Sequence, residues 1–156
     1  MKSIKRIAII FAIIIIVIPI LAYSAIVVTN NYLADRIEKN LTEHQMPLNT
    51  ELIDSFSLAG KMTGNGNGMQ YMGTILVKSD LSEQELKEYY EKDFDFIEVR
   101  KQETVNIDFI HLQKCTFNAV MEDGETYYSV TCWDSDRRDT LGDFVSALLD
   151  FDIRGH

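Results

Sequence analysis

The sequence predicts an α+β protein: an N-terminal transmembrane helix and helical stalk, then a small domain with an antiparallel sheet. Three observations predict this class. An uncharged apolar run lies near the N-terminus, several later segments alternate as strands do, and two segments have helical periodicity. The predicted order after the stalk is ββαβββα, about five strands with two helices covering one face of the sheet.

The apolar run extends from Ile7 to Val28 and contains no charged residue. At about 1.5 Å per residue, a helix of this length crosses a hydrocarbon core of about 30 Å. A cleaved signal peptide is the alternative, because Ala22 and Ser24 are small, but its apolar stretch is normally shorter. Pro19 predicts a kink, which membrane helices tolerate. No cysteine lies near the end of the run, so a lipid-anchored lipoprotein is excluded.

Charge predicts the orientation of this anchor. Three basic residues precede the run, whereas the first charges after it are Asp35 and Arg36. The positive-inside bias therefore predicts a single-pass protein of the cell membrane with a cytoplasmic N-terminus and its C-terminal part outside. The predicted divisions are a cytoplasmic N-terminus over 1–6, an anchor over 7–28, an amphipathic helical stalk over 29–46 and an extracytoplasmic domain over 47–156.

The stalk continues the anchor as a helix. Leu33, Ile37, Leu41 and His44 share one helical stripe, and Pro47 ends the pattern. An apolar stripe needs cover, which either the domain itself or another chain would supply.

The stretches "TELIDSFSLAGKM" and "MQYMGTILVKS" predict two strands joined by the turn "TGNGNG".

In "LSEQELKEYYEKD", Ser82 and Glu85 form a capping box, and Leu81 and Leu86 form a hydrophobic staple. Leu86 and the two tyrosines after it should face the sheet. "FDFIEVRKQ" and "TVNIDFIHLQK" predict two further strands, the second running into a hairpin, and "DTLGDFVSALLDF" predicts the last helix.

The hairpin carries both cysteines of the chain. A two-residue turn at Asp123 and Gly124 places Cys115 directly opposite Cys132, in a pair whose Cα atoms approach to about 4.5 Å. We therefore predict a structural disulfide, which would contribute up to about 3 kcal/mol. A three-residue bulged turn would shift the register and separate the thiols. A zinc site needs four ligands and a redox site needs Cys-x-x-Cys, so both are disfavoured.

Trp133 is the candidate partner contact. It follows Cys132 and should point to the mostly wet face of the sheet, where a large aromatic side chain can anchor a partner. The alternative is that it packs beneath the stalk or a loop.

Other candidate sites are weaker, and we predict no catalytic, cofactor or metal site. The glycine-rich loop 64–68 precedes a strand, whereas phosphate loops precede a helix. The acidic loop 134–139 lacks the glycine and the final glutamate of a calcium loop. His111 has no identifiable nucleophile nearby.

The chain has a formal net charge of −9, and all of its acidic residues follow the apolar run. Phosphates attract basic surfaces, so nucleic-acid binding is disfavoured, and so is attraction to an anionic lipid surface.

Several functions stay open. The favoured one is a membrane-tethered binding or accessory domain that contacts another envelope or membrane component through its exposed sheet face or its stalk. The alternatives are a secreted or surface enzyme using a carboxylate and His111, and an acidic inhibitor of the immunity type. The general layout also resembles type IV pilins, which would imply structural assembly. The basic leader ending in glycine and the early helix glutamate of pilins are missing, so we assign no family.

Overall fold

The computed structural model describes residues 2–62, 68–107, 115–134 and 143–154. They form an α+β fold that contains a four-stranded antiparallel sheet. The elements are α1 (Lys2–Glu43), β1 (Thr50–Gly60), β2 (Gln70–Ser79), α2 (Glu83–Tyr90), β3 (Ile97–Gln102), β4 (Asn106–Ile107), β5 (Cys115–Thr116), β6 (Tyr127–Asp134) and α3 (Asp143–Leu149).

Helix α1 is continuous over 42 residues and includes Pro19. Two hydroxyls near the end of its apolar part donate to helix carbonyls one turn back: Ser24 Oγ to Ile20 O and Thr29 Oγ1 to Ala25 O, both at 2.8 Å. These bonds satisfy the hydroxyls without an outside partner. The helix is long and apolar enough to cross a membrane.

The sheet has the order β1-β2-β6-β3, with β6 between β2 and β3. The registers align Gly73 of β2 and Ile97 of β3 on either side of Cys132. In the edge strand β1, the register with β2 shifts between Leu52 and Asp54. A bulge of this kind interrupts an edge that could otherwise pair with another strand.

The two faces of the sheet carry separate apolar clusters, because neighbouring residues of a strand point to opposite faces. The helix-face cluster contains Leu33, Ala34, Ile37, Leu41, Ala59, Tyr71, Ile75, Val77, Leu86, Tyr90, Ile97, Val99, Tyr128, Val130, Cys132 and Leu149. The second-face cluster contains Met62, Met72, Leu76, Ile107, Cys115, Phe117 and Tyr127.

The domain itself covers the apolar stripe of α1, since Leu33, Ile37 and Leu41 belong to the helix-face cluster. Contact is close at Gly73, where a Cβ atom would lie 2.3 Å from Glu38 N and 2.7 Å from the carbonyl carbon of Ile37. A glycine is therefore required for the helix backbone to reach the sheet.

Side-chain bonds fix the direction of α1 across the sheet. Asp35 accepts a hydrogen bond from Ser57, and Glu38, one turn later, accepts one from Ser55. The helix therefore runs antiparallel to β1 and parallel to β2. As a result, Thr50 and Ser79 lie at the end of the sheet farther from the apolar run, which we call the distal end.

The predicted capping box of α2 is confirmed. Ser82 Oγ accepts from Glu85 N at 3.3 Å, and Glu85 Oε2 accepts from Ser82 N at 2.8 Å. Leu86 and Tyr90 are fully buried against the sheet, while Tyr89 is half-buried. The local sequence was sufficient to predict this helix because its signals all lie within one turn.

The predicted disulfide between Cys115 and Cys132 is wrong. Cys132 belongs to the helix-face cluster and Cys115 to the second-face cluster, so the sheet separates the two thiols. Both are buried and neither forms a disulfide. Cys132 Sγ lies 3.6 Å from Asp95 O, and Cys115 pairs with Ile107 of β4.

The register behind that prediction failed for two reasons. Asp123 and Gly124 do form a turn, but only Gly124 has a positive φ, at +88°, whereas the assumed hairpin turn needs positive φ at both positions. In addition, β2 and β3 occupy both edges of β6, which leaves no edge for the cysteine strand. That strand, β5, forms a separate two-stranded sheet with β4.

The predicted α+β class and the antiparallel sheet are confirmed, but the predicted strand count and order are not. The described part of the main sheet has four strands. Most of the predicted strand "TVNIDFIHLQK" lies outside the described residues. The second face also differs from the mostly wet surface expected, because Met72 and Leu76 are completely buried there.

Candidate functional site

A polar cleft of about 380 Å³ opens at the distal end of the sheet, where β1 begins and β2 ends. Val28 to Glu43 spans about 22 Å of helix, so the cleft lies far from the apolar run. Its lining is formed by Asn49, Thr50, Glu51, Lys78, Ser79, Asp80 and Glu125.

Local backbone geometry shapes the cleft. Asn49 has a φ of +59°, a left-handed conformation that asparagine tolerates better than most residues. Its carbonyl accepts from Asp80 N at 3.3 Å, which ties the start of β1 to the end of β2. Thr50 and Ser79 add a hydroxyl pair at 2.7 Å, and Ser79 N donates to Thr126 O at 3.0 Å.

Lys78 is the charged centre of the cleft. Its Nζ lies 3.5 Å from Glu51 Oε2. The carboxylate of Glu125 raises the pKa of Lys78; desolvation opposes that rise, and Glu51 and Glu122 add to it. The lysine is therefore held as an ammonium ion, whereas a lysine that acts as nucleophile or base needs a lowered pKa.

The cleft is suited to binding. Glu51, Asp80 and Glu125 outnumber the single cation among its lining residues, so a ligand with a basic group would meet favourable charge. The hydroxyls of Thr50 and Ser79, which are bonded to each other, also line the cleft.

A second polar cluster joins α1 to the C-terminal segment 143–154. Asn30 is fully buried and its amide nitrogen donates to Leu149 O at 3.1 Å and to Asp152 Oδ2 at 2.9 Å. Its oxygen accepts from the Tyr71 hydroxyl at 2.7 Å. Arg154 completes the cluster with a bond from Nη2 to Asp152 Oδ2 at 2.6 Å.

This junction is fully paired and therefore structural. Burial alone would raise the pKa of Asp152, but hydrogen bonds donated by Arg154 and Asn30 outweigh it and hold that pKa below its ordinary value of 3.8. A buried carboxylate with these partners fixes the position of its segment. The cluster locks the chain's last described residues to the helix just beyond Val28.

The aromatic rings of Tyr89, Tyr90 and Phe94 surround His44 at centroid distances of 5.1–5.7 Å. His44 Nε2 lies 3.2 Å from Asp93 Oδ2. Among the described residues, the buried His44 Nδ1 finds no hydrogen-bond partner. This cluster holds the end of α1 against α2.

The structure separates the residues that the sequence singled out. Trp133 is half-buried and packs against the second-face cluster. Burial raises the pKa of the Cys115 thiol, the opposite of what an activated cysteine needs. His111, the acidic loop after Asp134 and most of the glycine-rich loop lie outside the described residues. No group of three or more potential metal ligands occurs in the described ranges.

Sequence reasoning missed Lys78 and Asn30. Lys78 is brought to Glu125 by the pairing of β2 with β6, which is remote in sequence. Asn30 carried a weak signal, a polar amide directly after the apolar run, but its partners in β2 and near the C-terminus could be found only from the fold.

No family model, curated protein or solved structure matches the chain. Its class is given by its architecture. It has an α+β fold with a four-stranded antiparallel sheet and an N-terminal helix long and apolar enough to cross a membrane.

Proposed function

We propose that the chain is a single-pass protein of the cell membrane, with a cytoplasmic N-terminus, whose outer domain binds another envelope or membrane component without catalysing a reaction. One observation carries the proposal: α1 is exposed and apolar over its first half and forms part of the domain core over its second half. A helix continuous from anchor to core would display the domain at a fixed height above the bilayer.

The charges near the span support the orientation. Lys2, Lys5 and Arg6 precede it, whereas the first basic residue after it is Arg36. A non-catalytic role is supported by pKa directions, since the environments of Lys78 and Cys115 both stabilise the unreactive protonated form. The acidic lining of the distal cleft favours a partner that presents a basic group.

The topology is tested by labelling with a membrane-impermeant maleimide on intact cells. Leu48→Cys, at an exposed site in the domain, should react at once, whereas Ser3→Cys should react only after the membrane is permeabilised. Wild-type protein measures the background from the two buried cysteines. Labelling of Ser3→Cys but not Leu48→Cys in intact cells would reverse the orientation.

The binding role is tested by pull-down with the detergent-solubilised full-length protein at low and high salt. We expect recovery of a partner that falls as salt rises, and weaker recovery by Glu51→Gln or Glu125→Gln. Glu103→Gln, an exposed acid outside the cleft, is the matched control. Recovery indifferent to salt and to both cleft variants would contradict the role of the cleft, and turnover of an envelope substrate without a partner would favour the enzyme alternative.

A further inference from the structure

The C-terminal segment 143–154 exposes an unusual number of large apolar side chains for a domain surface. Phe144 is 76% exposed, and Phe151 and Ile153 are each 67% exposed. Val145 and Leu148 are exposed as well. An apolar surface of this kind in a soluble domain normally marks a contact with a protein or a membrane.

The segment is fastened to α1 at the level where the apolar run ends. Arg154 Nη2 contacts Val27 O at 3.5 Å, and Arg154 Nη1 donates to Asn31 Oδ1 at 2.7 Å. Leu149 is held by Asn30 and lies in the cluster against which Ile26 packs. All of these positions on α1 lie within about one helical turn of Val28.

The carboxylates of this segment that the structure describes turn toward the protein. Asp150 Oδ1 accepts from Met69 N at 2.6 Å. Asp152 is fully buried and accepts from Asn30 and Arg154. The exposed surface between these anchoring points is therefore contributed largely by apolar side chains, although the chain as a whole is acidic.

We propose that Phe144, Val145, Leu148, Phe151 and Ile153 form a membrane-docking patch that enters the interface of the bilayer beside the helix. The inference rests on the proposed membrane anchoring, because a helix inserted as far as Val28 brings this segment to the level of the lipid headgroups. Apolar and aromatic side chains at that depth contact the boundary between headgroups and acyl chains.

The bilayer is favoured as the occupant because the segment that carries the patch contacts α1 at Val27 and Asn31, next to the exposed apolar surface of α1 that continues from Leu21 back to Ile7. The contact is apolar, so it does not depend on anionic lipid, which the acidic domain would repel. Together, α1 and the patch give the domain two points of membrane contact and hence a fixed tilt.

The test uses full-length protein in vesicles of zwitterionic phosphatidylcholine brominated near the headgroup end of its acyl chains. In a Trp133→Phe background, single tryptophans are placed by Phe151→Trp in the patch, Phe11→Trp in the span and Leu48→Trp at the distal end. Leu48 is 88% exposed and is the matched control for an exposed apolar site. Phe144→Trp is a second patch probe, and circular dichroism confirms folding of each variant.

We expect brominated lipid to lower the emission of both patch probes and of Phe11→Trp relative to unbrominated vesicles, and to leave Leu48→Trp unchanged. If Phe11→Trp is quenched and both patch probes are not, the docking patch is refuted while the anchor stands. Iodide in the aqueous phase serves as a second quencher. If the patch probes are protected from iodide and are not quenched by brominated lipid, a second copy of the chain covers the patch, and the docking proposal is refuted. Loss of quenching at Phe11→Trp refutes the membrane anchor itself.

Discussion

The two halves of α1 have similar backbones and opposite surroundings. From Ile7 to Val28 the helix is apolar on all sides and its large side chains are mostly exposed. From Asn30 to Leu41 only one stripe is apolar, and that stripe is buried against the sheet. The first pattern suits a lipid environment and the second suits a protein core. The stripe of α1 formed by Leu33, Ile37 and Leu41 therefore belongs to the buried apolar cluster on the helix face of the sheet.

The largest expected effect is a difference in stability between one substitution in the second half of α1 and one in the first half. Leu41→Ala removes a side chain that is 0% exposed and should lower the free energy of unfolding by about 2–5 kcal/mol. Ile16→Ala, in the exposed half, should change it by less than about 0.5 kcal/mol. Urea unfolding of both full-length variants in micelles, followed by Trp133 fluorescence, measures the difference. If both variants lost the same free energy of unfolding, the division of α1 into an exposed half and a core half would be contradicted.

Gly73→Ala tests the closeness of the second half to the sheet. The added Cβ would lie 2.3 Å from Glu38 N, so the helix must move, at a cost of about 1–3 kcal/mol. Gly73→Val should cost more than Gly73→Ala. The melting temperatures of the wild type and the two variants measure this order. A Gly73→Val protein as stable as the wild type would show that α1 does not press on β2 at this point.

Asp152→Asn tests the junction between the halves. Losing the charge beside Arg154 should cost about 1–3 kcal/mol near neutral pH. The pKa of Asp152 is lower in the folded protein than its ordinary value of 3.8. The charged carboxylate therefore stabilises the fold at pH values above 3.8, and this stabilisation is lost as the pH falls through the lowered pKa. Stability measured across this acidic range should therefore decline more in the wild type than in Asp152→Asn. Parallel curves would show that the carboxylate of Asp152 does not contribute to the pH dependence of stability.

The smallest expected effect concerns the two cysteines. Since they lie on opposite faces of the sheet, a reducing agent should leave the melting temperature unchanged. Denatured, unreduced protein should alkylate at both Cys115 and Cys132, as mass spectrometry can show. A bonded pair would instead resist alkylation and would restore the register that the structure contradicts.

The parts of the fold that could be predicted depend on neighbours in sequence. The apolar run and the Ser82–Glu85 capping box are each specified within a few residues, and the structure contains both. Local chemistry determines these features whatever the rest of the chain does.

The parts that could not be predicted depend on pairing between distant strands. The sequence predicts that β6 pairs with the segment before it, whereas in the structure β6 pairs with β2 and β3. An Asp-Gly turn does not reveal whether the edges of the strand after it are already occupied. The same limit hid the cleft around Lys78 and the partners of Asn30, since both sites combine residues that lie far apart in the sequence.

Whether the second half of α1 belongs to the folded core is tested most directly by the urea unfolding of two truncated domains. Residues 29–156 retain the buried stripe of α1, whereas residues 47–156 lack it. We expect a sigmoidal transition for 29–156 and none for 47–156, because the helix-face cluster of the shorter domain would lack Leu33, Ile37 and Leu41. Equal, cooperative transitions in the two would contradict it and would make the second half of α1 a detachable stalk.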